Sequence, residues 1–141
     1  MMPSLTAHGI LVWINYWRRM ESGTYDLQAT CSGERIVATL AGFFSQSEVS
    51  AYASEAERLI RHGFARHRGY RMLIDVSDCA IQSQDVIEAF ARHVAAVPRA
   101  RRLAVVAGSA VARMQISRVL NRPGIELFDS LSDATAWLDT A

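Results

Sequence analysis

The sequence contains no lysine, and all 15 of its basic residues are arginine, balanced by 14 acidic residues. Planar guanidinium groups could serve phosphate or carboxylate recognition. The arginines are scattered, however, and do not follow the spacing of a recognition helix, so an arginine-rich codon usage is the simpler explanation. A formal net charge of +1 gives no general attraction to nucleic acid or to an anionic membrane, and we expect no nucleic-acid partner.

Cysteine is scarce as well. Cys31 and Cys79 lie far apart and form no Cys-x-x-Cys pair, which favours free thiols in a reducing cytosol over a disulfide framework. The histidines His8, His62, His67 and His93 show no spacing typical of a zinc site, so we expect no metal. The sequence has no nucleotide-binding glycine loop, no Walker sequence and no nucleophile elbow, and it predicts no cofactor.

Long apolar runs are also missing. The stretch from Ile10 to Trp17 has eight residues, is interrupted only by Asn15, and is followed by Arg18 and Arg19. A bilayer core of about 30 Å needs about 20 apolar residues. A signal peptide carries its positive charge before the apolar run, whereas the order here is reversed. We therefore expect a cytoplasmic protein without a membrane span.

Residues 1–23 form an apolar extension in front of a domain at residues 24–141. Its side chains Trp13, Tyr16 and Trp17 would form an apolar patch if they were exposed. Three interpretations stay open: a helix packed on the domain, a surface covered by a partner, or sequence upstream of a start at Met20. If the segment is ordered, we expect it to pack, and a two-fold homodimer is the simplest arrangement.

From residue 24 onwards the chain alternates between strand and helix patterns. Residues 24–31 and 35–42 predict a hairpin around a Ser-Gly-Glu turn. Further strands are predicted at 70–77, 101–108 and 125–129. Helices are predicted to start at Ser45, where Glu48 completes a capping box, at Ser83 and at Ser109. The first should end at Gly63.

The core-facing residues predicted for these helices follow helical spacing. They are Val49, Tyr52, Ala53, Ala56, Leu59 and Ile60 in the first, Val86, Ile87, Phe90 and Val94 in the second, Val111, Ile116, Val119 and Leu120 in the third, and Ala134, Trp137 and Leu138 in the last. The order β-β-α-β-α-β-α-β-α predicts an α/β fold with a single, mostly parallel sheet and an N-terminal antiparallel hairpin.

Several stretches carry a family likeness: the hairpin start, "LIDVSD", "RLAVVAGSAVARMQISRVL" and "ELFDSLSDATAWL". From Thr24 onwards the chain resembles the SpoIIAA-like group, whose fold is shared by STAS domains and CRAL-TRIO lipid-transfer domains. The resemblance implies a SpoIIAA-like fold. For anti-sigma-factor antagonists it implies regulation through protein contacts, and for CRAL-TRIO relatives the binding of a lipid-like ligand.

The antagonists carry an Asp-Ser-Ser-Gly loop whose first serine is phosphorylated. Here Asp75 and Ser77 match the Asp-x-Ser that precedes it, but the loop itself is absent and "DCAIQSQD" is longer. Ser83 occupies a comparable place at a predicted helix N-terminus, which favours a phosphate but also favours serine as an ordinary cap. We expect Ser83 to be a cap and neither serine to be a phosphoacceptor.

Other candidate residues lie at predicted strand ends. Gly108 and Ser109 open a helix whose backbone N–H groups could hold an anion with help from Arg113, although a simple tight turn explains them too. An enzyme would need Asp75 or Asp78 to share a cleft with Cys79, Ser109 or Arg113. The segment from Arg58 to Arg71 holds arginines and histidines without an acid, which predicts a solvated helix end more than a binding site.

These patterns favour a non-enzymatic regulatory domain that acts through contacts with a protein partner or with a second copy of itself. The alternative is a domain that binds a small apolar or lipid-like ligand. An enclosed apolar cavity of about 300 Å³ or more would favour the ligand, whereas a solid core with an exposed apolar face would favour the protein partner.

Overall fold

The computed structural model describes residues 21–30, 34–66 and 69–140, apart from the side chain of Arg66. The elements are β1 (Thr24–Ala29), β2 (Arg35–Gly42), α1 (Gln46–Arg66), β3 (Arg71–Cys79), α2 (Gln84–Ala96), β4 (Arg102–Val106), α3 (Ala110–Val119), β5 (Ile125–Phe128) and α4 (Leu131–Leu138). The predicted order of elements and the predicted fold class are confirmed. The predictions for Trp13, Tyr16, Trp17 and Cys31 lie outside the described residues.

The five strands form one sheet in the order β1-β2-β3-β4-β5. β1 pairs with β2 antiparallel, in register from Thr24 opposite Ala41 to Ala29 opposite Ile36. The pairs β2–β3, β3–β4 and β4–β5 are parallel. All parallel strands therefore end at the same edge of the sheet, which we call the carboxyl end; the opposite edge is the amino end.

Helices cover both faces of the sheet. On one face α1, α2 and α3 pack over residues that include Ile36, Leu40, Met72, Ile74, Leu103 and Val105, which form the larger core cluster. On the other face α4 places Ala134 and Leu138 against Leu73, Ala104 and Val106. Because strands β3 and β4 are apolar on both faces, they read in the sequence as continuous apolar runs.

The start of α1 follows the predicted capping box. The Ser45 hydroxyl accepts a hydrogen bond from the Glu48 backbone N–H at 3.2 Å, and the Glu48 carboxylate accepts one from the Ser45 N–H at 2.8 Å. That second hydrogen bond holds the pKa of Glu48 below its ordinary value. The local sequence thus fixes where the helix begins.

Two details differ from the sequence predictions. α1 does not end at Gly63 but runs on to Arg66, and Phe64 in the added turn packs edge-on against Tyr70 with ring centroids 6.3 Å apart. Burial of that ring outweighs the cost of about 1 kcal/mol for a glycine inside a helix. Val111 is not in the core but is 60% exposed, because α3 turns Ala112, Ile116 and Val119 inward, one position out of phase with Val111.

Candidate functional site

The loops at the carboxyl end of the sheet are joined by Gln82, which is only 9% exposed. Its side-chain oxygen accepts a hydrogen bond from the Phe44 N–H at 2.8 Å, and its amide nitrogen donates to the carbonyls of Gly42 at 3.0 Å and Ala80 at 2.6 Å. Its own carbonyl accepts a hydrogen bond from the Gln115 side chain at 3.1 Å. One buried residue therefore fixes the end of β2, the β3–α2 loop and α3 relative to one another.

The loops held in this way present apolar side chains to solvent. Phe43 follows β2, Ile81 follows β3, and Leu131 lies in the first turn of α4 after β5. Val111 and Met114 lie three residues apart on the outer side of α3. These are the exposed large hydrophobic residues in the described part of the chain: Phe43 46%, Ile81 48%, Val111 60%, Met114 54% and Leu131 52%. We call this set the carboxyl-end face.

Acidic residues accompany the apolar ones at this end. Glu48, Asp85 and Asp133 lie in the first turns of α1, α2 and α4. The Gln46 side chain donates a hydrogen bond to Asp85 at 3.0 Å, and this bond lowers the pKa of Asp85. Acids are favoured at helix N-termini because the helix dipole is positive there. The apolar surface is therefore bordered by acidic side chains.

A small cavity of about 150 Å³ brings together some of the residues singled out in the sequence. Ser77, Gly108 and Ser109 line it with Cys79. Asp75 reaches it indirectly, because the Ser77 hydroxyl donates a hydrogen bond to the Asp75 carboxylate at 2.6 Å. Within the described residues the cavity wall contains no histidine that could serve as a base for the two serines or the cysteine.

The other predicted site residues have local partners. Ser109 is a helix cap, since its hydroxyl accepts a hydrogen bond from the Ala112 N–H at 3.0 Å. Arg113 donates to the Ala107 carbonyl at 2.8 Å and so is held at the end of β4. Ser83 occupies the N-cap position of α2, but its side chain makes no capping hydrogen bond and instead hydrogen-bonds to the Asp85 carboxylate. An anion at Gly108 and Ser109 stays a prediction.

A second, apolar pocket lies between the sheet and helices α2 and α3. Its volume of about 80 Å³ is well below the 300 Å³ expected for a site that encloses a lipid-like ligand. Phe90, Val105, Ile116 and Leu120 are among the residues that line it, and its polar lining residues include Tyr52, His93, Gln82 and Gln115. The pocket can take only a short apolar group unless α3 moves away from α2.

Tyr52 and His93 are unusual for an apolar pocket. Tyr52 is 1% exposed, and its buried hydroxyl has no hydrogen-bond partner among the described residues. The His93 ring packs edge-on against it, with ring centroids 5.5 Å apart. Burial raises the pKa of Tyr52 and lowers that of His93, so both groups are neutral at neutral pH.

Sequence reasoning missed Gln82 and His93, and it placed Tyr52 in the core without noting its hydroxyl. Tyr52 was predicted to face inward because it follows the helical spacing of α1. Gln82 lies in a loop, and nothing in its neighbours indicates that it is buried. Its role depends on the closeness of Gly42 and Ala80, which only the parallel pairing of β2 and β3 creates.

In the described part of the chain, no group of three or more histidine, cysteine or acidic side chains is placed to hold a metal ion. Likewise, no helix in the described ranges combines the length and the apolarity that crossing a bilayer requires.

The fold and a sequence match to a known family together identify the relatives of this chain. The sequence model of the SpoIIAA-like family matches residues 35–139. The chain belongs to the SpoIIAA-like family. No curated protein sequence matches it.

Solved structures show the same SpoIIAA-like fold. An anti-sigma factor antagonist from Mycobacterium paratuberculosis is 14% identical, with a TM-score of 0.63 over 84% of this chain and 95% of that one. An uncharacterised DUF3478-family protein with a SpoIIAA-like fold from Shewanella loihica is 16% identical, with a TM-score of 0.57 over 83% of this chain and 94% of that one. At these identities the likeness establishes the fold.

Proposed function

We propose that this SpoIIAA-like protein is a regulatory domain that binds a protein partner through its carboxyl-end face. The observation that carries the proposal is the gathering of Phe43, Ile81, Val111, Met114 and Leu131 at one end of the sheet. Single exposed apolar residues are ordinary, but a cluster rimmed by polar groups is typical of an interaction surface. The anti-sigma factor antagonist with this fold is, by its name, a protein that opposes another protein.

The residues of the carboxyl-end face indicate what kind of surface the partner has. Each large apolar side chain that becomes fully buried contributes about 1.5–3 kcal/mol, so the five could form the centre of an interface. The acids in the first turns of α1, α2 and α4 favour a partner with basic residues around an apolar patch. A second copy of the chain is an alternative partner with the same apolar chemistry.

The test compares three tagged proteins expressed in the source cells: wild type, Val111→Asp with Met114→Asp, and a control with Arg92→Ala at an exposed position on α2. We expect a protein that the wild type and the control retain and the double variant loses. Native mass spectrometry of the wild type shows whether that protein is a second copy. Retention of the same partners by the double variant would contradict the proposal, as would a wild type that is monomeric and retains nothing.

The apolar pocket supports a second candidate, binding of a short apolar ligand with one polar group. The observation in its favour is the unpartnered hydroxyl of Tyr52, which such a group could hydrogen-bond. Native mass spectrometry of freshly purified protein should then show a retained small molecule, lost in Tyr52→Phe. The control is Tyr25→Phe, whose hydroxyl donates to Glu55 outside the pocket. Freshly purified protein that retains no small molecule would contradict this second function.

A further inference from the structure

The amino end of the sheet, opposite the carboxyl-end face, brings two loops and the start of β3 together. The Arg101 N–H donates a hydrogen bond to the Tyr70 carbonyl at 2.8 Å, and the Leu103 N–H donates to the Gly124 carbonyl at 2.8 Å. The Tyr70 hydroxyl donates to the Pro98 carbonyl. The α2–β4 loop and the α3–β5 loop are therefore fixed side by side.

Three arginines lie on these loops. Arg99 and Arg101 are exposed on the α2–β4 loop, and Arg122 is partly buried on the α3–β5 loop. The Nε atom of Arg122 is buried and has no hydrogen-bond partner among the described residues. Buried donors are nearly always paired, so this atom calls for an acceptor. Ion pairs in the described part of the chain involve other arginines, Arg35 with Asp139 and Arg61 with Glu57.

The electrostatic environment agrees with this geometry. The pKa of Arg122 is lowered first by burial and then by the positive charge of Arg99. Two guanidinium groups thus repel each other. Tyr70 does not offset them at neutral pH, because burial raises its pKa to about 12 and the phenol stays uncharged. An anion placed between the two arginines would remove the repulsion.

We propose that Arg99 and Arg122, with Arg101 at the rim, form a binding site for a phosphate-type oxyanion. The planar guanidinium fork matches phosphate oxygens and binds them through two parallel hydrogen bonds. A phosphate carries about 1.5–2 negative charges at neutral pH and so can face two arginines together, which a carboxylate with a single charge does less well. This site lies at the amino end and is independent of the carboxyl-end face, so either proposal can fail without the other.

The test is calorimetric titration of the full-length protein with inorganic phosphate, at a constant ionic strength of about 0.15 M set with chloride. We expect saturable binding that Arg122→Gln and Arg99→Gln each weaken about tenfold or more, as expected when a charge-assisted hydrogen bond is lost. Arg58→Gln, at an exposed position on α1, removes the same charge from an element that carries none of the three site arginines and should bind like the wild type. Because Arg99 is exposed, its variant tests the site even if Arg122→Gln does not fold.

Absence of saturable phosphate binding to the wild type would overturn the proposal. So would binding that Arg99→Gln and Arg122→Gln leave unchanged, or that Arg58→Gln weakens equally. A parallel titration with phenyl phosphate distinguishes the sources of the anion. Tighter binding than inorganic phosphate supports an organic phosphate monoester as the occupant, and equal binding supports the free ion.

Discussion

At the scale of single residues, the carboxyl end of the sheet depends on Gln82. Replacing it with methionine keeps the length of the side chain but leaves the Phe44 N–H and the Ala80 carbonyl without this partner, while the Gly42 carbonyl keeps its hydrogen bond from the Ala80 N–H. Unpaired buried groups cost about 1–3 kcal/mol each, and partial rearrangement will recover some of this. We expect Gln82→Met to lower the free energy of unfolding in urea by about 2–4 kcal/mol.

The matched control is Gln84→Met, at an exposed position two residues away. Its effect should stay within about 0.5 kcal/mol, as is usual for surface changes. If Gln82→Met were no more destabilising than this control, the arrangement of the β2 end, the β3–α2 loop and α3 would not depend on Gln82.

His93 makes stability depend on pH. Burial holds its pKa in the folded protein below the value of about 6.5 that an unfolded chain has. Between these two values the unfolded chain binds more protons, so the free energy of unfolding falls as the pH falls. The contribution of neutral His93 to the free energy of unfolding is fully present above about pH 6.5. It decreases as the pH falls below this value and stops changing below the pKa of the folded state. We expect His93→Gln to reduce the loss of stability between about pH 7.5 and about pH 5.

Urea unfolding at a series of pH values checks this expectation. His62→Gln is the control, because His62 is exposed on α1 and the variant lacks a histidine in the same way. The control should keep the full loss of stability at low pH. An unchanged pH dependence in His93→Gln would show that this imidazole is not responsible.

At the scale of elements, α3 differs from the other helices. None of its side chains is fully buried, whereas α1 buries Val49, Tyr52, Ala56 and Ile60. Few buried apolar contacts mean a low local free energy of opening. We therefore expect backbone amides of α3 to exchange with deuterium at least about tenfold faster than those in the middle of α1, measured by mass spectrometry of peptides. Equal protection of the two helices would contradict this. It would also mean that the apolar pocket does not open by movement of α3.

Sequence patterns predicted the elements well where the cause is local. Serine caps and the Ser45–Glu48 box mark helix starts because the cap acts within four residues. Predictions were wrong where a contact with a distant part of the chain determines the structure. Phe64 extends α1 past Gly63 because its ring packs against Tyr70. Val111 faces solvent because packing on the sheet sets the orientation of α3. The carboxyl-end face could not be predicted for the same reason, since its residues are far apart in sequence.

At the scale of the whole molecule, a net charge near zero conceals separated charges. Acids such as Asp85 and Asp133 begin helices at the carboxyl end, while Arg71, Arg99 and Arg122 lie at the amino end. Every helix between parallel strands runs from the carboxyl end to the amino end, so its dipole favours acids at its start and bases at its finish. The sheet topology thus places acidic helix starts beside the apolar carboxyl-end face and several arginines at the amino end, where Asp139 pairs with Arg35. These are the two ends to which the two proposals assign different partners.

The last prediction concerns residues 1–19 and the carboxyl-end face. The described chain starts beside this face, where the Glu21 carbonyl accepts a hydrogen bond from the Phe43 N–H at 2.8 Å. Trp17 is four residues before Glu21, a distance of at most about 14 Å along an extended chain. The apolar side chains Trp13, Tyr16 and Trp17 are therefore within reach of Phe43, and we expect them to pack on this face, in their own chain or across a two-fold dimer.

Deleting residues 1–19 should then lower the melting temperature, and it should convert a dimer into monomers if the contact joins two copies. Each large apolar side chain that becomes exposed loses about 1.5–3 kcal/mol of stabilisation from burial, so the change in melting temperature should be large enough to measure. Light scattering after gel filtration gives the mass, and thermal unfolding followed by circular dichroism gives the melting temperature. A shortened protein with unchanged mass and melting temperature would show that the first 19 residues make no such contact, and the carboxyl-end face would then be open to a partner at all times.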